Sequence, residues 1–81
     1  MTFNVTAIYS DTGSWGPFED IQPSQLYAVL KKYKECPAFV IEQKHGETST
    51  FWAKYGDMMH PITHERHFDR LDHVRKIAGI I

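Results

Sequence analysis

Phe3, Val5, Ala7 and Tyr9 alternate with Asn4, Thr6 and Ile8 at the start of the chain. A period of two in β-prone residues predicts a strand. Ser10-Asp11-Thr12-Gly13-Ser14 breaks the pattern, and Asp11 to Asp20 has the composition of a loop, although it carries Trp15 and Phe18. Pro23 suits the first position of a helix, with Gln22 or Asp20 before it as the cap. Leu26, Val29, Leu30 and Tyr33 then share one helical face, and Lys31, Lys32 and Lys34 lie off it. Pro37 ends this helix, because it draws Cys36 away from helical dihedrals.

Two further runs, Ala38 to Lys44 and Thr48 to Tyr55, flank His45-Gly46-Glu47 and predict a β-hairpin. A three-residue loop sets Lys44 opposite Thr48, Ile41 opposite Phe51 and Phe39 opposite Ala53. One face then carries Phe39, Ile41, Phe51, Ala53 and Tyr55, and is assigned to the core. The other carries Val40, Glu42, Lys44, Thr50, Trp52 and Lys54. A slip of one residue would mix the two sets. Gly56-Asp57 closes the second strand, and the last helix is predicted to begin near Pro61 or Thr63. Glu65 suits its positive end, Arg75 and Lys76 its negative end, and Gly79 is a natural stop. The predicted order is β-α-β-β-α. It implies an α+β two-layer sandwich, a three-stranded, mainly antiparallel sheet with two helices, over residues 1–81 as a single domain.

Length and charge narrow the function. A chain of 81 residues buries only about 60–65% of its unfolded surface, so its stability margin is thin. Nine basic and ten acidic side chains nearly cancel, and a net charge of −1 argues against a dedicated nucleic-acid binder. Cys36 is the only cysteine, so no intrachain disulfide can form, and a reducing cytoplasm suits the chain best. The first residues lack the basic and apolar regions of a secretory signal, and Ile77-Ala78-Gly79-Ile80-Ile81 is far too short to span a bilayer. The reading is a soluble cytoplasmic protein with no membrane partner.

Four histidines fall within fourteen residues: His60, His64, His67 and His73. With Phe68 at zero and about 100° per residue, Leu71, Val74, Ala78 and Ile81 lie between roughly 220° and 300°. His67 falls near about 260° and His64 near about 320°, so the apolar stripe runs into two imidazoles. The candidate metal ligands are therefore His60, His64 and His67. Against a metal, no His-Glu-x-x-His pattern is present, since His64-Glu65-Arg66-His67 is one residue too short. The bland alternative is a polar end to a core stripe, with imidazoles bonded to water or backbone. A rim of histidines also has the means to sense pH. Catalysis has less support still. Cys36 precedes Pro37 at a helix end, and no Ser-His-Asp set, paired-carboxylate pocket or phosphate loop is visible. The expectation is a non-enzymatic protein without cofactor.

Binding surfaces remain. Trp52 on the second sheet face, with Val40, Glu42 and Lys54 around it, is the first candidate, because an exposed Trp is a typical interface anchor. Trp15 in the long loop and the hairpin tip at His45 and Glu47 complete the candidate set. Small domains lacking site chemistry commonly act on larger proteins, as adaptors, antitoxins and inhibitors from phages or mobile elements do. That analogy transfers no residues. The expected function is a protein-binding module, an inhibitor or regulator of a larger enzyme or complex, with a homodimer as a variant. The alternative is single-stranded nucleic-acid binding, with bases stacked on the aromatic face and Lys31, Lys32, Lys34, Lys44 and Lys54 beside it.

Overall fold

A computed structural model describes the whole chain, residues 1–81. Its elements are β1 (Thr2–Ile8), β2 (Ser14–Ile21), α1 (Pro23–Lys32), β3 (Ala38–His45), β4 (Thr48–Tyr55), β5 (Met58–Ile62) and α2 (His67–Ile77). The strands form one antiparallel sheet in the order β2-β1-β3-β4-β5. The α+β class and the two helices agree with the sequence. The three-stranded sheet and the β-α-β-β-α order do not, because two more strands lie in segments whose composition hides them.

β2 is hidden by its irregularity. Its pairs with β1 run Ala7–Trp15, Val5–Phe18 and Phe3–Ile21, so the β2 side carries one extra residue in each interval. Each extra residue is a bulge, and bulges erase the alternation that marks a strand. The bulges fall at two residues with positive φ, Gly16 (101°) and Asp20 (56°). A β-carbon on Gly16 would lie 2.8 Å from the Val5 carbonyl oxygen, so only glycine fits. Asp20 is held differently. Its N–H donates to Asn4 Oδ1 (3.0 Å), and Asn4 Nδ2 donates in turn to Glu42 Oε1 (3.0 Å). β5 is hidden by Pro61, which resembles a helix start but sits on an edge strand, where a missing N–H is tolerated. α2 accordingly starts at His67, later than Pro61 or Thr63.

The hairpin between β3 and β4 has a two-residue loop, Gly46-Glu47, and His45 pairs with Thr48. Gly46 takes φ +58°, the left-handed conformation that a glycine-first hairpin turn requires. Every expected pair is therefore displaced by one residue. Ile41 faces Trp52, Phe39 faces Lys54, Val40 faces Ala53 and Glu42 faces Phe51. Trp52 thus shares a face with Phe39 and Ile41. Phe51, Ala53 and Tyr55 join Val40 and Glu42 on the other face, so the two expected faces are mixed, with β4 turned over relative to β3.

The helices lie on opposite faces, making three layers instead of two. Leu26, Val29, Leu30 and Tyr33 of α1 and its following turn cover Phe3, Val5, Ala7, Phe39 and Ile41. Leu71 and Val74 of α2 join Ile8, Ala38, Val40, Ala53 and Ile62 on the reverse face. The two sets alternate along β1 and β3, so both strands are buried on both sides. Gln22 caps α1, and its N–H donates to Gln25 Oε1 (3.1 Å). No helix is long and apolar enough to cross a membrane.

Candidate functional site

The cover that α1 provides is incomplete. None of its side chains is fully buried, and its apolar residues are only half-covered. The helix spans 10 residues and packs over Phe3, Val5 and Ala7 of β1 and Phe39 and Ile41 of β3, and Trp52 of β4 packs against the edge of this cluster. Thr50, Trp52 and Lys54 of β4, with Met59 and Pro61 of β5, occupy the other half of this sheet face. Thr50, Met59 and Pro61 are exposed, and Trp52 and Lys54 are half-buried. The indole is fixed in place, because Trp52 Nε1 donates to Gln43 Oε1 (3.1 Å) on the same face.

Between α1 and this strip runs a groove of about 430 Å³. Leu30, Cys36 and Phe39 are its apolar groups, Tyr27 stands beside them 75% exposed, and Lys31, Lys34 and Lys54 add three ammonium groups. Lys54 Nζ donates to the Gly56 carbonyl (2.8 Å). No carboxylate pairs with any of the three, since the one ion pair of the chain joins Arg75 to Asp72. Burial raises the Cys36 thiol above its ordinary range, and the neighbouring Glu35 adds to the shift. The thiol therefore remains a neutral apolar group.

The other candidate binding residues do not join this surface. Val40 is 3% exposed, packs with Leu71 and Val74 of α2, and forms part of the floor of a cleft on the reverse face. Glu42 lies on the reverse face, where it accepts bonds from Asn4 and from Ser49 Oγ (2.7 Å). It lines a polar cleft of about 250 Å³ with Asn4, Glu19, Phe51, His67 and Arg70. His45 and Glu47 are exposed at the hairpin tip. Trp15 is 52% exposed and stacks against Tyr9 with ring centres 5.1 Å apart, while Phe18 folds down onto Tyr33 at 4.8 Å. Of the seven expected residues, Trp52 and Lys54 share this surface, His45 and Glu47 share the hairpin tip, and Val40 and Glu42 line one cleft on the reverse face.

The histidines separate. His60 lies against Tyr55 (5.6 Å), His64 lies against His73 (4.6 Å), and His67 faces the polar cleft. No three His, Cys, Asp or Glu side chains are grouped to hold an ion, so His60, His64 and His67 form no common ligand set. At its N-terminal end the apolar stripe of α2 meets His67 and Arg70 on the cleft wall, and the Arg70 guanidinium lies 3.5 Å over the Phe51 ring. Arg70 Nε donates to the His64 carbonyl (2.9 Å) and Nη2 to the Glu65 carbonyl (2.7 Å).

Tyr27 and Met59 were missed by the sequence reading, which had named Lys31 and Lys34 only as lysines beside a nucleic-acid face. Tyr27 precedes Lys31 and Lys34 at an i, i+4, i+7 spacing, a visible signal for one flank of a helix. Met59 carried no signal until β5 was known to be a strand. Comparison with family models, with curated proteins and with solved structures gives no match to this chain.

Proposed function

We propose that this chain is a small non-enzymatic protein-binding module that inhibits or regulates a larger cytoplasmic enzyme or complex. One observation carries the reading: half of a sheet face, with an oriented indole at Trp52 and exposed Met59 and Pro61, has no helix over it. A well-fixed aromatic among partly covered apolar groups is the usual anchor of a protein interface. Met59 is 47% exposed, so a charge there disturbs docking more than folding.

The test is quantitative capture from the native host by wild type, Met59→Asp and the hairpin-tip variant Glu47→Lys. The reading expects one large partner on the wild type, equal recovery on Glu47→Lys and loss of about tenfold or more on Met59→Asp. Equal recovery by all three, with urea midpoints unchanged, removes this face from the account. Single-strand nucleic-acid binding is the second reading, because Lys31, Lys34 and Lys54 lie beside aromatic groups. It requires affinity that falls steeply with salt.

A further inference from the structure

We infer that the groove between α1 and β4 is built for an extended acidic peptide segment of a partner protein, carrying at least one large apolar side chain. The inference rests on the protein-binding reading and adds the chemistry of the partner. The juxtaposition that carries it is an apolar floor of Leu30 and Phe39 set among the ammonium groups of Lys31, Lys34 and Lys54, none of which has a carboxylate partner.

The three charges come from two elements. Lys31 lies on α1, Lys34 follows in its terminal turn, and Lys54 reaches the groove from β4. Cations on two walls of a channel favour a chain that threads between them, with carboxylates to either side. The floor contributes a different requirement. A groove of about 430 Å³ takes a few side chains, and its Leu30, Phe39 and neutral Cys36 select apolar ones. Tyr27, 75% exposed on the wall, can cover such a side chain once it is seated.

Acidic peptide is favoured over nucleic acid by the surrounding charge. Glu35 follows Lys34 directly, and Asp57 follows Gly56 at the groove end. These exposed carboxylates next to the lining residues break up the positive patch, which disfavours a continuous phosphate backbone more than a peptide that places its acids only where lysines lie. The net charge of −1 likewise provides no broad positive field to hold a polyanion.

The experiment selects displayed random decapeptides on the full chain, then titrates the best synthetic peptide into labelled protein while amide shifts are followed. Enriched sequences should be acidic with an apolar anchor. Their binding should shift Tyr27, Leu30, Phe39 and Gly56, and should weaken about tenfold in a Lys31→Glu/Lys34→Glu variant. Both positions are exposed, so this variant keeps the fold. Several outcomes overturn the inference: neutral or basic winners, no enrichment, shifts that avoid the groove, or tighter binding of a deoxythymidine dodecamer. If basic or neutral winners map onto Trp52 and Met59, the acidic-partner inference falls while the open sheet face stands as a docking surface.

Discussion

Arg75 is the one charged side chain that lies buried, and it ties the two ends of the sequence together. From α2 its Nε donates to the Ser10 carbonyl (3.0 Å) and its Nη2 reaches the Gly13 carbonyl (3.4 Å), 65 and 62 residues away. These bonds hold the turn that presents Tyr9 and Trp15. Buried donors to charged or carbonyl partners are costly to remove, because the acceptors lose their partners in a dry site. Arg75→Ala should lower the unfolding free energy by about 2–3 kcal/mol, read from urea titration. Cys36 makes a second residue-scale prediction. Its folded pKa lies above the unfolded value, so the unfolded chain releases the thiol proton first. Any stability linked to this group is present below the ordinary thiol range and is lost as pH rises through the raised folded value. Between about pH 8 and 10, wild type should therefore lose more stability than Cys36→Ala in urea midpoints measured at each pH. Sequence alone placed Arg75 near the negative end of the last helix and Cys36 as a small spacer. It had no access to the contacts sixty residues away that give Arg75 its role.

At the scale of elements, the two helices have the same kind of pattern but different anchoring. α2 buries Leu71, Val74 and Arg75, whereas α1 has no fully buried side chain. Helices of 10 and 11 residues are too short to persist without tertiary contacts, so their stability follows their cover. Amide exchange should be faster in α1 than in α2 and β3, with the difference read residue by residue in native buffer. Equal protection of both helices would contradict the picture of α1 as a partial lid on the sheet. β2 carries its own element-scale constraint. The close approach of the Gly16 α-carbon to the Val5 carbonyl leaves no space for a side chain, and its φ of 101° is unfavourable for any other residue.

Across the whole molecule, the sheet has two free edges, and each has a proline in its strand: Pro17 in β2 and Pro61 in β5. A proline removes a backbone donor, and bulges twist a strand away from the geometry a second sheet could extend. These features oppose the homodimer through a sheet edge that the sequence left open as a variant. Restoring the donor with Pro61→Val should increase concentration-dependent association, measured by sedimentation velocity across about a hundredfold range of protein. The wild type should show the weaker dependence. The proposed docking role therefore falls to side-chain surfaces, and Trp52, Met59 and the lysine-rimmed groove lie together on one side of the sheet.

The amino-acid pattern by itself determined three strands, the first helix with its Pro23 start, and the general α+β class, because each of these is set by local periodicity and turn chemistry. It did not determine which way Trp52 looks. Phe39-Val40-Ile41 and Phe51-Trp52-Ala53 are apolar at consecutive positions, so either register buries a comparable set of side chains. Only the tertiary structure decided between them: a two-residue turn at Gly46-Glu47 and helices on both faces make both parities of β3 core. The bulged edge at β2, the proline-bearing edge at β5 and the groove beside α1 arise from contacts between distant segments, which no local pattern encodes.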